Sequence, residues 1–418
     1  MDIYKKALQV NPNNKTAHWD LALEFFTQGS YNKALEHFRT LENIDSHNPY
    51  VFFNIGYIFF KFGQWDNALH YFNKFLELNP ESTESYRYLG RIYVTKGEFK
   101  KGYKFYDKAY EKHDAETPKL WCGQNLFGKT IYIWNNVGIG DVFCFTQYAR
   151  KMKEQGAKEI ILAVRKGLIP IMSSCPYVDK VIPRFTQVPP CDFVIDVNRL
   201  TRMSYKAGFK IPCGYKNPYL FANQELVNKY KKEFSEDKNF KIGLCWDAFS
   251  YKNKLTGKRM ENERSIPLHH FYFLSKLKGV SLYSLQRING IEQLDYMPKN
   301  FKIHVFDKNF DKTMGSFSDT AAVMKNLDLV ITADTSVANL AGALGVRVWV
   351  LLPFAADWRW QLNSSYTGWY PNMKLFRPFD PSRFGTGFAQ DRATNWKYPI
   401  NQIENELCGI LKEKRRKS

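Results

Sequence analysis

A register of 34 residues runs through the first third of the chain. Adding 34 carries Ala22 to Gly56 and Gly90, Gly29 to Gly63 and Gly97, Tyr31 to Trp65 and Phe99, Ala34 to Ala68 and Gly102, and Phe38 to Phe72 and Tyr106. A period of this length describes one pair of helices that cannot bury its apolar face alone and therefore stacks on the next copy. The small residues fall where paired helices cross closely. The glycines fall at the turn between them, and the aromatics fill the groove to the following unit. The expectation is an α-helical solenoid over residues 1–116.

These positions resemble the tetratricopeptide repeat. Tyr4, Ala7 and Pro12 extend the register backwards by half a unit, as the second helix of a preceding repeat. The resemblance implies a concave groove that takes a peptide or another protein, although a dimerisation face or a rigid spacer uses the same stack. No residue in it forms a catalytic pattern.

The rest of the chain differs in charge and in period. Of a formal net charge of +19, residues 1–120 contribute almost nothing, with 16 Lys and Arg against 15 Asp and Glu; the other 298 residues carry 44 against 26. A field of that sign attracts nucleic acid, an anionic membrane face or phosphorylated small molecules. No nucleic-acid module accompanies it, so nucleic acid is not expected as a partner. The seven cysteines form no CxxC pair, which favours reduced thiols and a cytoplasmic setting. The opening MDIYKKALQV lacks an apolar signal core and no long apolar stretch is free of charge; the expectation is neither secretion nor a membrane span. The tail KEKRRKS offers at most a peripheral membrane contact.

After Pro118, strand-like and helix-like runs alternate. KTIYIW (129–134), EIILAV (159–164), KVIP and DFVID (192–196) read as strands, with VFCFTQYARKMKEQG (142–156) and KGLIPIMSSC as helices. A charged stretch at 228–240 separates these from a second series, KIGLCW (241–246), VSLYSLQ (280–286), KIHVF (302–306), DLVIT (328–332) and VRVWVLLP (346–353). Such alternation gives parallel sheets that bind ligands at strand carboxyl ends. The reading is two Rossmann-like lobes, 128–235 and 240–400, followed by a C-terminal helix and basic tail over 401–418.

In ITADTSVANLAGALG (331–345), a strand ends and Asp334, Thr335 and Ser336 open a helix of small residues. Hydroxyls at that turn either cap the helix or, with its free amides and positive end, hold a diphosphate. The turn NNVGIGD uses Gly138 and Gly140 to bring backbone close to a cleft, and Asp141 is either the cap of the next helix or a base. Trp358, Arg359 and Trp360, with Trp369 and Tyr370, are packing residues or the wall of a pocket, and Arg359 is a candidate phosphate or carboxylate partner.

The order and spacing of GIGDVFCFTQYARKMKEQGAKEIILAV, KIGLCWDAFSYKNK, ERSIPLHHFYFLSKLKGVSLYSLQ and the segment 317–377, with its DWRW and WYP pieces, resemble bacterial tetratricopeptide-repeat glycosyltransferases with a heptosyltransferase-like GT-B domain. The resemblance implies an α-helical repeat solenoid followed by an α/β GT-B fold, an acceptor lobe and then a nucleotide-sugar donor lobe. By position it implies Asp334, Thr335, Ser336 and Asn339 at the donor diphosphate and Asp141 as the catalytic base. It also implies Gln286 and Trp246 at the donor's ribose, base or sugar, with Gly138 and Gly140 in the acceptor loop. Heptosyltransferases usually carry His where this chain has Asn339, which donates a hydrogen bond but does not carry a proton's charge.

Sugar transfer needs a group that takes the acceptor proton and something that stabilises the departing diphosphate. No Asp-x-Asp pair and no His cluster occurs, so neither metal nor cofactor is expected and cations take that role. Lys252, Lys254, Lys258, Arg259 and Arg264 follow a strand directly, and Lys254 and Arg264 are the candidates, the latter because ERSIP matches the family pattern. The expected activity is inverting transfer from a nucleotide-sugar to a protein or surface-glycan acceptor, with the repeats recruiting it or a protein partner. The alternative is a GT-B and repeat scaffold without turnover, which the change at Asn339 favours.

Overall fold

The computed structural model describes residues 2–214, 217–248, 263–362, 364–378 and 396–417. They divide into two compact units.

The first unit is helical. It contains α1 (Asp2–Val10), α2 (Lys15–Thr27), α3 (Tyr31–Ile44), α4 (Pro49–Lys61), α5 (Trp65–Leu78), α6 (Thr83–Thr95) and α7 (Phe99–Ala115). Each interhelix glycine has a positive φ, +74° at Gly29, +66° at Gly63 and +82° at Gly97, a conformation that glycine adopts without a Cβ clash. The same period fixes the helix starts: the side chains of Asn14, Asn48 and Ser82 accept from the amides of Ala17, Tyr50 and Ser85. Ala22, Ala34, Phe38, Ala68 and Phe72 are fully buried, and Phe72 stacks on Tyr88 of the next unit at 4.9 Å. Helix approach is closest in the last pair, where a Cβ on Gly102 would lie 2.9 Å from the Gly90 carbonyl oxygen and 2.6 Å from Val94 Cγ1.

Nine further residues, Phe354–Leu362, belong to this unit although chain order puts them between two strands of the other. Sequence reasoning assigned them to the donor lobe.

The second unit contains two all-parallel sheets. In the first, β1 (Thr130–Trp134), β2 (Glu159–Val164), β3 (Lys180–Pro183) and β4 (Phe193–Asp196) lie in the order β3-β2-β1-β4. α8 (Ile139–Phe145) and α9 (Tyr148–Glu154) follow β1, α10 (Ile169–Met172) follows β2, and α11 (Val197–Lys206) and α12 (Gln224–Glu233) follow β4. The single helix expected over 142–156 is broken because Thr146 Oγ1 donates back to the Val142 carbonyl and Gln147 Nε2 to that of Cys144, local bonds that compete with the helical ladder.

In the second sheet, β5 (Phe240–Cys245), β6 (Val280–Ser284), β7 (Leu329–Ala333), β8 (Val348–Leu351) and β9 (Met373–Phe376) take the order β6-β5-β7-β8-β9. α13 (Ser318–Met324) precedes β7 and α14 (Ser336–Ala343) follows it. KIHVF forms no strand; His304 makes only an isolated bridge to Tyr283. The helix expected over 401–418 begins at Lys397. α15 (Lys397–Lys417) buries Ile400, Ile403, Leu407 and Leu411 in the core beneath the second sheet, with Ile242, Leu329 and Leu351. The charged stretch 228–240 also packs on the second series: the buried Tyr230 hydroxyl of α12 donates to Asp319 of α13 at 2.8 Å. Among the described residues no helix is long and apolar enough to cross a membrane.

Gly102→Val tests the repeat packing. Its branched side chain has no room between α6 and α7, and unfolding in denaturant is expected to show a loss of about 1–3 kcal/mol; an unchanged midpoint would mean that the helices do not cross this closely.

Candidate functional site

Each sheet reverses its strand order once, and crevices that bind ligands form at the carboxyl ends of the strands on either side of such a reversal. In the second sheet the reversal lies between β5 and β7, paired in register from Ile242 with Leu329 to Cys245 with Thr332. The chain leaves β7 at Asp334 and begins α14 after Thr335. Thr335 is the N-cap, and its Oγ1 accepts from the Val337 amide at 3.2 Å. Thr335 and Ser336 are half-buried, and Asp334 is buried. Arg264, exposed, donates from Nη1 to the Asp334 carbonyl at 3.3 Å. The expected turn and one expected cation therefore lie together. Lys254 lies outside the described residues.

In the first sheet the reversal lies between β1 and β4. Asn136 Nδ2 donates across it to Asp196 Oδ1 at 3.0 Å, and the buried Asp196 pairs with the buried Arg199 at 3.1 Å. The chain then turns through Gly138, the N-cap of α8, so that Asp141 falls in the first helical turn, partly buried. A Cβ on Gly138 would lie 3.3 Å from Asp141 Oδ2; a Cβ on Gly140 would lie 3.0 Å from Asn339 Nδ2 and 3.4 Å from Ser336 Cα. At Gly140 the first turn of α8 rests closely on the first turn of α14, and a Cβ would have to displace the Asn339 amide by a few tenths of an ångström.

Asn339 is 2% exposed. Its Nδ2 donates to the Thr335 carbonyl at 3.2 Å and its Oδ1 accepts from the Tyr370 hydroxyl at 3.2 Å. Tyr370 is 3.4 Å from the hydroxyl of Tyr219, which donates to the Phe143 carbonyl at 2.7 Å. Burial holds both phenols well above their ordinary pKa, so this chain from α14 to α8 consists of neutral hydroxyls. The Asn339 amide is engaged in it rather than turned toward an open cleft.

Three other expected site residues are engaged by the protein itself. Trp246 is wholly buried in the core of the second sheet, and its indole donates to the Gly290 carbonyl. Gln286 is a clamp on strand ends: its Oε1 accepts from Cys245 Sγ and the amides of Trp246 and Asp247, while its Nε2 donates to the carbonyls of Asp247 and Asn289. Both amide hydrogens are taken, which leaves none for a ribose. Burial pushes the Cys245 thiol up to about 11, consistent with its role as a neutral donor. Arg359 belongs to the helical unit, where its Nε donates to Asp357 at 2.8 Å.

Two features carry no motif. Asp247, buried after β5, accepts from Ser265 Oγ at 2.7 Å and Gln293 Nε2 at 3.2 Å, and Gly290, at φ +79°, passes so close that a Cβ would lie 2.3 Å from its Oδ2. A cavity of about 930 Å³ lies against the first sheet, with Tyr132, Trp134 and Asn135 on one side and Arg184 to Cys191 on the other. It exists because the chain must return from β3 across the sheet to β4, and the segment 184–191 makes that crossing without a helix. The alternate aromatics of β1, stacked at 6.1 Å, were the available sequence signal. Among the described residues no group of three or more His, Cys, Asp and Glu could hold a metal ion.

Residues 22–63 match the family described as TPR repeat and residues 53–117 that described as tetratricopeptide repeat. The helical unit is a tetratricopeptide-repeat array. Among curated relatives, Protein FlbA of Caulobacter vibrioides is 24% identical over 272 residues, which cover 61% of this chain and 44% of that protein. The chain thus spans less than half the length of that relative. Among solved structures, MamA is 25% identical over 26% of this chain and 63% of its own, with a TM-score of 0.25. A family 9 glycosyl transferase from Veillonella parvula is 13% identical over 61% of this chain and 87% of its own, with a TM-score of 0.43.

Gln286→Leu separates a clamp from a ribose ligand. With the amides of Trp246 and Asp247 left without their acceptor, a loss of about 2–4 kcal/mol in unfolding free energy is expected; unchanged stability with weakened nucleotide binding would return Gln286 to the ligand.

Proposed function

We propose that the chain is a metal-independent, inverting glycosyltransferase of the two-lobed GT-B kind, with a nucleotide-sugar as donor and a protein or surface glycan as acceptor. The observation that carries this reading is the approach of Gly140 to Ser336 and Asn339. It sets the first turn of α8, with Asp141, beside the first turn of α14, with Thr335 and Ser336. Helix starts carry partial positive charge and unpaired amides that favour phosphate, and Arg264 adds a full charge at the same turn.

In the proposed reaction the acceptor hydroxyl attacks the anomeric carbon from the face opposite the diphosphate. A new C–O bond forms as the bond to the diphosphate breaks, and the proton passes to the Asp141 carboxylate. The electron pair leaves with the diphosphate, whose charge the α14 amides and Arg264 stabilise. Displacement from the opposite face inverts the anomeric centre. The cavity beside β1, with its aromatic side, is the proposed seat of part of the acceptor, and the repeats recruit the acceptor protein or a partner. A cytoplasmic location suits a nucleotide-sugar donor. A scaffold without turnover remains the second reading, because Asn339 stands where heptosyltransferases usually carry His.

A panel of nucleotide-sugars, read by thermal shift and then by product formation, tests both. Asp141→Asn is expected to keep the donor-induced shift while transfer falls by about 10²–10⁴-fold. Arg264→Ala is expected to weaken donor binding by about tenfold or more. Equal transfer by wild type and Asp141→Asn would remove Asp141 as the base. Donor binding without product in any protein would favour the scaffold, and no shift with any donor would end the glycosyltransferase reading.

A further inference from the structure

The array already holds a peptide. Residues 354–362, FAADWRWQL, lie within the helical unit as an irregular segment with one short 3₁₀ turn, Trp358–Trp360. They meet the interhelix turns of two successive repeats. The Phe354 carbonyl oxygen is 3.7 Å from where a Cβ on Gly63 would be, and Gln361 Nε2 is 4.0 Å from the same point at Gly97, the equivalent glycine one period later.

Between these ends the contacts are those of a recognised ligand. Trp358 meets the Phe99 ring edge-on at 6.4 Å, and Ala355 and Leu362 pack against the apolar core of the repeats. Asp357 lies 3.7 Å from Arg91 Nη2, and the Arg91 guanidinium lies over the Phe60 ring at 5.4 Å. Asp357 also caps its own turn, accepting from the Arg359 amide at 3.1 Å and from its Nε at 2.8 Å. Arg359 and Trp360 are buried. Burial works against the Asp357 carboxylate, but the Arg359 and Arg91 guanidiniums more than offset it and hold its pKa below the ordinary value. Gln361, at φ +50°, takes the left-handed conformation that ends the turn.

We propose that residues 354–362 are an internal ligand of the repeats, and that the surface they cover is the array's docking site for a partner segment of the same chemistry: an aspartate capping a turn, followed directly by a tryptophan. Arg91 reads the carboxylate and Phe99 the indole, while the Phe354 carbonyl and the Gln361 side chain lie in van der Waals contact with the turns at Gly63 and Gly97. The tethered copy keeps the surface closed to weak competitors, because a ligand on a short tether acts at an effective concentration of about millimolar. A partner succeeds by displacing it, which frees the chain between β8 and β9.

The test uses the full chain and a fluorescent peptide of sequence PFAADWRWQLN, residues 353–363. Asp357→Ala/Trp358→Ala disables the tethered copy and leaves the repeats untouched. That variant is expected to bind the peptide at least tenfold more tightly than wild type. Adding Arg91→Ala should abolish the gain, as should the same two substitutions in the peptide. In wild type, excess peptide should speed amide hydrogen exchange across 354–362. The proposal is overturned if the helix-intact double variant binds no more tightly than wild type. It is equally overturned if binding ignores Arg91, or if excess peptide leaves exchange of 354–362 unchanged.

Discussion

The second unit depends on a helix built from small residues. In α14, Gly342 lies so close to the Tyr370 ring that a Cβ would be 2.5 Å from it, and Gly140 of α8 rests on Ser336 and Asn339 at the helix start. Helix–helix contact this close is possible only where no side chain intervenes, and larger residues would force the backbones apart. Tyr370 donates to Asn339 and Tyr219 to the Phe143 carbonyl, and the two phenol oxygens meet at 3.4 Å, so buried polar contacts accompany that approach.

The proposed site rests on that packing. Two strand-order reversals, one per sheet, would be separate crevices if their helices were apart. With α8 and α14 in contact, the first turn of α8, which carries Asp141, lies beside the start of α14, where Arg264 donates to the Asp334 carbonyl. The buried pair Asp196 and Arg199, and the Gln286 clamp, do no chemistry in this account. Asp196 joins the ends of β1 and β4 through Asn136 and Arg199, and Gln286 joins the ends of β5 and β6, so their loss is expected to act on stability.

Periodic features were legible in the sequence and side-chain direction was not. The 34-residue register located the helix pairs because each recurrence answers the same packing requirement; Gly29, Gly63 and Gly97 share one backbone conformation for that reason. Alternation of strand and helix runs located β1 to β8 but not β9, Met373–Phe376. The resemblance implies Gln286 and Trp246 at the donor, and Arg359 follows the last strand of the second series. Which way such a side chain turns is decided by neighbours distant in sequence, such as Gly290, Asn289 and Asp357. The placement of 354–362 in the helical unit rests on Arg91 and Phe99, more than 250 residues earlier in the chain, and no local pattern announces a contact of that span.

The central claim is that a nucleotide's two phosphates sit at the start of α14. Crystals of the full chain soaked with nucleotide-sugars test it most directly. The account predicts density for both phosphates within hydrogen-bonding reach of Thr335, Ser336 and the Arg264 guanidinium, with the sugar directed toward Asp141. Nucleotide bound instead in the cavity beneath Trp134, with the α14 turn unchanged, would contradict it.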